Sequence, residues 1–375
     1  MNQIFTRTFV ALFLILWLGN ISASEGQNPN AGATPADTVK KAPPPPPAQL
    51  ITYPLSLASG KFKLSGYAQV RYQYFTDTLV SNGFDVRRAR VTLAGSPFKN
   101  FDYKLQADFA PTTRVMDVTA AYTFNTYIKI VAGQQKIPFS LENLISSPLM
   151  ESINRSQVVE ALVSRSRDVI STQGAVVGNN NGRDIGALLT GVIKTQGENA
   201  RPLVEYSGGL FSGNGINKAD NNRELDFSGR VIAYPIKQIS IGGSYYNGSA
   251  TYGKDVSKPK NRDRFGFEVY YNSPRITVKS EFIQGVDSAT TRNGYYVQLA
   301  GFILPEKFQA VLKYDSYDSN IDKDGDQSTI YTFGLNWLWG KYAKIQAAYD
   351  YRKEQGDSDA QKDNDLFSVM LQLGF

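Results

Sequence analysis

The chain contains no histidine and no cysteine in 375 residues, and only three tryptophans. Those two absences exclude a Ser-His-Asp or Cys-His nucleophile pair, any disulfide, and zinc held by His or Cys. No dense Lys/Arg block is present, and the formal charge is only +6, so nucleic acid is not an expected partner. Outside the first twenty residues, no run approaches the ~20 apolar positions that a membrane helix needs. The sequence does have 22 Tyr, 21 Phe and 32 Gly. Aromatic residues favour strands and glycine favours turns, so an all-β chain is expected.

Residues 1–24 read as a signal peptide. Arg7 is the one charge before an apolar stretch from Phe9 to Leu18, and Ser22, Ala23 and Ser24 offer a cleavage site. The stretch is too short to cross a bilayer, so the mature protein is expected outside the cytoplasm. Residues 25–60 are poor in apolar side chains and hold five consecutive prolines at 43–47. Such a run favours an extended polyproline II segment without internal hydrogen bonds. It suits a solvated periplasmic spacer, or a docking segment for another protein or the cell wall.

From residue 61 to 375 one pattern recurs. Phe62, Leu64, Gly66, Ala68, Val70, Tyr72 and Tyr74 alternate with Lys63, Ser65, Tyr67, Gln69, Arg71 and Gln73. A period of two places the sets on opposite faces of a strand. Fifteen similar runs follow, near 86–97, 101–109, 115–124, 127–136, 184–193, 203–212 and 225–234, then 239–247, 264–272, 275–284, 295–304, 307–316, 329–339, 342–352 and 365–375. Their length matches the ~9–11 residues of a tilted transmembrane strand. Connections alternate between short, such as 96–100, 235–238 and 305–307, and longer, such as 76–85, 137–183, 247–263 and 285–294. Residues 110–113 are short where the scheme wants a long loop. This asymmetry is that of an outer-membrane barrel, and a soluble sandwich gives no reason for it.

One face of these strands is apolar: Leu105, Ala107 and Phe109; Ile128 and Ile130; Phe265, Phe267 and Val269; Phe333, Leu335 and Trp337. That face is expected to meet outer-membrane lipid, while the charged and amide side chains between them need water. Closing the sheet satisfies every backbone polar group, which lipid cannot do. Tyr122, Tyr245, Trp337 and Trp339 near strand ends suit interfacial girdles. The last strand alternates through Phe367, Val369, Leu371 and Leu373 to a terminal Phe375, which resembles the insertion signal of outer-membrane barrels.

Two motifs are set aside. GSATYGK at 248–254 opens like a phosphate-cradling loop, but Asp255 stands where a Ser or Thr must meet magnesium. Asp322, Asp324 and Asp326 suggest a calcium loop, yet Gly325 is misplaced and no terminal Glu follows. No catalytic residue, metal ligand or cofactor is expected.

FDVRRARVTLAG (84–95), KLQADFA (104–110), VAGQQKIPFSLENLISSP (131–148) and GRDIGALLTG (182–191) resemble the phosphate-selective porin O/P family. The likeness runs from about residue 62 to the end. It implies a transmembrane antiparallel β-barrel of about sixteen strands, a homotrimer in the outer membrane of a Gram-negative bacterium. It also implies a third extracellular loop folded inward, and the 137–182 connection is the longest in the chain. Its apolar residues Leu141, Leu144, Ile145, Leu149 and Ile153 recur at helical spacing, so a short helix is expected there.

Strand parity puts Lys63, Arg71, Arg88, Arg90, Lys104 and Lys129 on the lumen side of the first five strands, with Asp102, Asp108 and Asp117. Such a wall favours small anionic solutes. Arg71, Arg88, Arg90, Lys104 and Lys129, with Arg155 and Arg165 from the long loop, are therefore the candidate pore-lining, anion-binding residues. On the later strands, Arg230, Lys279, Lys313, Lys344 and Arg352 are balanced by acidic residues. An anion-preferring channel, an unselective porin and a plugged structural barrel all remain open at this point.

Overall fold

The computed structural model describes residues 62–163, 182–250, 260–340, 343–355 and 364–375. Residues 1–24, expected to be a signal peptide, the Pro-rich segment at 25–60, Arg165 and most of the 248–254 motif lie outside the described residues. Sixteen strands form one closed barrel. The first eight are β1 (Phe62–Phe75), β2 (Gly83–Phe98), β3 (Phe101–Asp108), β4 (Arg114–Thr123), β5 (Lys129–Lys136), β6 (Arg183–Lys194), β7 (Pro202–Phe211) and β8 (Asp226–Ile236). The second eight are β9 (Ile239–Ala250), β10 (Lys260–Asn272), β11 (Ile276–Asp287), β12 (Thr290–Leu304), β13 (Phe308–Asp318), β14 (Gln327–Trp339), β15 (Ala343–Glu354) and β16 (Leu366–Gly374). Each strand pairs antiparallel with its neighbours in sequence, and β1 pairs with β16 to close the ring.

Closure runs from Tyr67 opposite Gly374 to Phe75 opposite Leu366. It is extended by a reciprocal pair of backbone bonds between Gly66 and Phe375, of 3.1 and 2.9 Å. The Phe375 ring lies over Gly66 so closely that a Cβ there would come 2.3 Å from its Cζ. Glycine at 66 therefore admits the terminal ring at the seam. Deleting Phe375 should lower the amount of protein inserted in membranes while leaving the conductance of each inserted channel unchanged. Normal membrane levels of the truncated chain would contradict that expectation.

The faces are sorted as the alternation predicts, in the reverse of a soluble protein. Along β16, Phe367, Leu371 and Leu373 are exposed while Ser368, Met370 and Gln372 are buried. Leu105, Phe109, Ile128, Ile130, Phe265, Phe267, Phe333 and Leu335 are all exposed, as a lipid-facing surface requires. Aromatic rings cluster toward the two ends of the strands. At the short-turn end Trp337 stacks between Phe308 and Trp339, at 5.8 and 5.6 Å. Toward the other end Tyr295, Tyr314, Tyr331 and Tyr351 follow one another across β12–β15, with centroids 5.3 to 6.2 Å apart. These are the amphipathic rings that interfacial girdles use.

Two local features depart from the sequence reading. The 285–294 stretch is a tight turn at 288–289 rather than a long loop, with Ser288 at φ 56. The strands run further because buried Asp287 bonds Arg264 at 2.7 Å and also pairs with Arg292, tying β10, β11 and β12 together above the expected strand ends. On β2 the pairing jumps from Gln69–Arg88 to Val70–Val86, leaving Arg87 as the extra residue of a β-bulge. Simple parity therefore fails at Arg87, which turns to the lumen side beside Arg88.

Candidate functional site

The described part of the long connection, 137–163, bonds many side chains of the inner faces of β10–β16, with Arg87 of β2, Lys136 of β5 and Ser228 of β8 reaching it as well. It carries two short helices, α1 (Leu141–Leu144) and α2 (Gln157–Leu162), with a 3-10 turn at Ser147–Leu149 between them. The expected helix across 141–153 is thus broken. Pro148 has no N–H and disfavours a helical residue before it, and Ile145 already turns to ψ 131.

The barrel wall finishes what these helices lack. Glu281 accepts from the N–H groups of Leu141 and Glu142 at 2.9 and 2.8 Å, and Ser140 caps Asn143 at 3.2 Å. Lys136 donates to the carbonyls of Asn143, Leu144 and Ile145 at 2.7 to 3.1 Å. At α2, Asp315 accepts from Gln157 N–H at 2.8 Å, and the Glu142 side chain accepts from Ser156 N–H at 2.7 Å. Both helix N-termini are therefore satisfied by carboxylates, the sign that the helix dipole favours. Apolar contacts complete the seat, with Phe139, Val158, Val159 and Leu162 in one buried cluster with Ile283 and Tyr296. Gly285 and Gly294 leave the room: a Cβ on either would come 2.9 Å from Leu162 or Val158.

Residues 148–154 form an arm held mainly by lysines and amides. Lys344 donates to the carbonyls of Pro148 and Met150 at 3.1 and 2.8 Å, and Lys313 to that of Asn154 at 3.0 Å. Gln346 and Asn336 each donate to the Glu151 carbonyl at 2.8 Å. The Glu151 carboxylate meets Lys279 at 2.5 Å. Burial pushes this carboxyl up, and Lys279 more than reverses that, leaving its pKa below the ordinary value. A depressed folded pKa means the contribution is present above the unfolded carboxyl pKa and is lost as pH falls through the lower folded one. The tie thus persists through the range where ordinary carboxylates titrate. Lys279, Lys313 and Lys344 of the later strands therefore hold the loop, while Arg230 pairs with Glu268 on the wall itself.

The wall of β1–β5 is different. Its cations run in a column from the long-loop end to the short-turn end. Arg71 makes a double bond pattern to Asp85 at 3.0 and 2.8 Å. Arg88 donates to the Gln69 side-chain carbonyl at 3.0 Å. Arg90 meets buried Asp108 at 2.7 Å. Lys104 meets Asp117 at 2.6 Å, and Lys129 meets Asp102 at 2.9 Å. A cavity of about 520 Å³ opens on this wall at the short-turn end, with Lys63, Lys104, Lys129, Thr119 and Asp102 among its lining.

Arg155 does not join that column. It is 6% exposed and its guanidinium donates to the Glu142 and Ile145 carbonyls at 3.1 and 3.0 Å. Burial lowers its pKa, opposed by Glu160 and Glu142. Three participants escape a reading of the sequence. Arg87 is hidden by the bulge. Asp85 becomes visible only as the cross-strand partner of Arg71. Arg183 opens β6 and reaches Asp117 at 2.6 Å, a contact that no spacing announces.

No curated protein matches the sequence. Among solved structures, an anion-selective porin from Comamonas acidovorans is similar at 13% identity and TM-score 0.62, covering 84% of this chain and 99% of that one. The outer membrane channel DcaP of Acinetobacter baumannii is similar at 12% identity and TM-score 0.59, over 87% of this chain and 100% of that one. OmpT of Vibrio cholerae, in its trimer form, gives 12% and 0.53 over 85% and 100%. At such identities the likeness is one of fold. The family model described as phosphate-selective porin O and P matches residues 62–375, the whole span from β1 to the terminal Phe375. The chain belongs to the phosphate-selective porin O and P family and is an outer-membrane porin.

Proposed function

We propose that this porin passes small hydrophilic solutes by diffusion, with a preference for anions such as phosphate. The observation that carries the reading is the division of charge between the two walls. The lysines of the later strands are tied to the loop, whereas the open wall presents Lys63, Arg71, Arg88, Arg90, Lys104 and Lys129 against Asp85, Asp102, Asp108 and Asp117. Pairing removes no charge, so the excess of cations leaves a positive potential that a low-dielectric barrel focuses along the lumen. An outer-membrane homotrimer is part of the same reading, supported by the family resemblance and by the trimer form described for the Vibrio protein of the same fold. Removal of residues 1–24 and a periplasmic position for 25–60 complete it.

Most of these cations already have a carboxylate, which favours a diffuse filter over one tight site. In planar bilayers the purified protein should conduct, and low phosphate should leave the chloride current open. A saturable block by low phosphate would replace the diffuse filter with a specific binding site. Absence of conductance would overturn the channel reading and favour a plugged barrel.

A further inference from the structure

We propose that Arg87 is a positioning residue whose hold on the arm at 148–154 sets the open width of the channel. The β2 bulge puts Arg87 and Arg88 on the same side of the sheet, and the two reach the loop by separate routes. Arg87 Nη1 donates to the Ile153 carbonyl at 2.6 Å and lies 3.9 Å from the sulfur of Met370. Ile153 itself packs with Ala348 and Met370 in a small apolar cluster. Arg88 acts through amides: it donates to Gln69, Gln69 donates to Gln372 at 2.7 Å, and Gln372 reaches the Pro148 carbonyl at 3.4 Å.

The arm is thus suspended between two groups of donors. Lys344, Lys279, Lys313, Gln346 and Asn336 draw it toward β11–β15, while Arg87 holds it from β2. Without Arg87 the first group is opposed only by the longer Gln372 bond to Pro148, so the arm settles toward β11–β15 and the passage beside β1–β5 widens. The charge of Arg87 and its hold on Ile153 are separable properties. Lysine keeps the charge but lacks the planar fork and the reach of a guanidinium.

The inference rests on the reading that the lumen conducts, and the wild-type channel in the same bilayers tests that separately. Arg87→Lys should raise single-channel conductance by about 1.5- to twofold, with a noisier open state and an unchanged reversal potential, and Arg87→Gln should raise it similarly while moving the reversal potential toward the potassium value. A silent wild type would sink the channel reading. A conducting wild type with Arg87→Lys of equal conductance would overturn the inference. Only inserted channels are counted, so a loss of assembly does not enter the comparison. Should Arg87→Lys fail to insert, Arg87→Gln decides: a purely electrostatic role lowers the conductance, which would overturn the inference, whereas loss of the hold raises it.

Discussion

Replacing Asp117 with alanine should destabilise the barrel by about 3–5 kcal/mol, because it removes one partner of a buried ion pair. The side chains of Asp117 and Arg183 are 4% and 3% exposed, and Arg183 Nε lies 2.6 Å from the carboxylate. Arg183 also donates to Gln106, at the longer distance of 3.3 Å. Lys104 shares the same carboxylate but its side chain is 44% exposed, so water replaces much of that interaction. The loss is therefore Arg183's. Urea unfolding of the purified barrel in detergent, followed by the fluorescence of Trp337 and Trp339 on its outer face, measures it. The same substitution removes one negative charge from the open wall, so the surviving channels should be more anion-selective than wild type. A variant as stable as wild type would show that Arg183 finds another partner and that the three-residue cluster is not a structural support.

The second large effect is functional. Arg88→Ala with Arg90→Ala should lower the anion-over-cation permeability ratio by about threefold or more, since two wall cations disappear from a focused field. The structure adds a reason for the size of the change. Asp108 accepts from Arg90 at 2.7 Å and otherwise from the N–H groups of Ala89 and Ala110 at 3.0 and 3.3 Å. Removing Arg90 uncovers that carboxylate, so the local charge swings from paired to negative. Backbone pairing of β2 with β1 and β3 involves neither side chain, but Asp108 loses the partner of a buried ion pair, so the variant should assemble with reduced stability and the ratio is read on inserted channels. Single Arg88→Ala should have the smaller effect, because Gln69 is neutral. A double variant with undiminished anion preference would show that selectivity is set elsewhere than on this wall.

The strand count and the sorting of faces are legible in the sequence because both follow from a period of two. Leu105, Ala107 and Phe109 can meet lipid only if Lys104 and Asp108 meet water. The same rule breaks where the period breaks. At Arg87 one extra residue turns a nominally outward side chain inward, and nothing in the string VRRAR marks which residue is extra. The long loop shows the complementary failure. Helical spacing from Leu141 to Ile153 is present, but Pro148 interrupts it, and Ile153 packs with Ala348 and Met370 on the wall instead of continuing a helix. Arg155 is a typical pore cation by composition, and its assignment to the loop's own carbonyls depends on where α1 ends. Ion pairs such as Arg183 with Asp117 join β6 to β4 across β5, a distance in sequence at which spacing carries no information. Turn 288–289 was obscured by polar residues that form a clamp, Asp287 with Arg264 and Arg292, instead of a loop.

The central claim is that the open wall of β1–β5 makes this porin prefer anions. The direct test is the zero-current potential of the purified channel in a planar bilayer under a potassium chloride gradient, repeated at rising ionic strength. The account predicts a potential displaced toward the chloride equilibrium value, and a displacement that shrinks as salt screens the wall charges. A potential displaced toward the potassium value at low salt would contradict it.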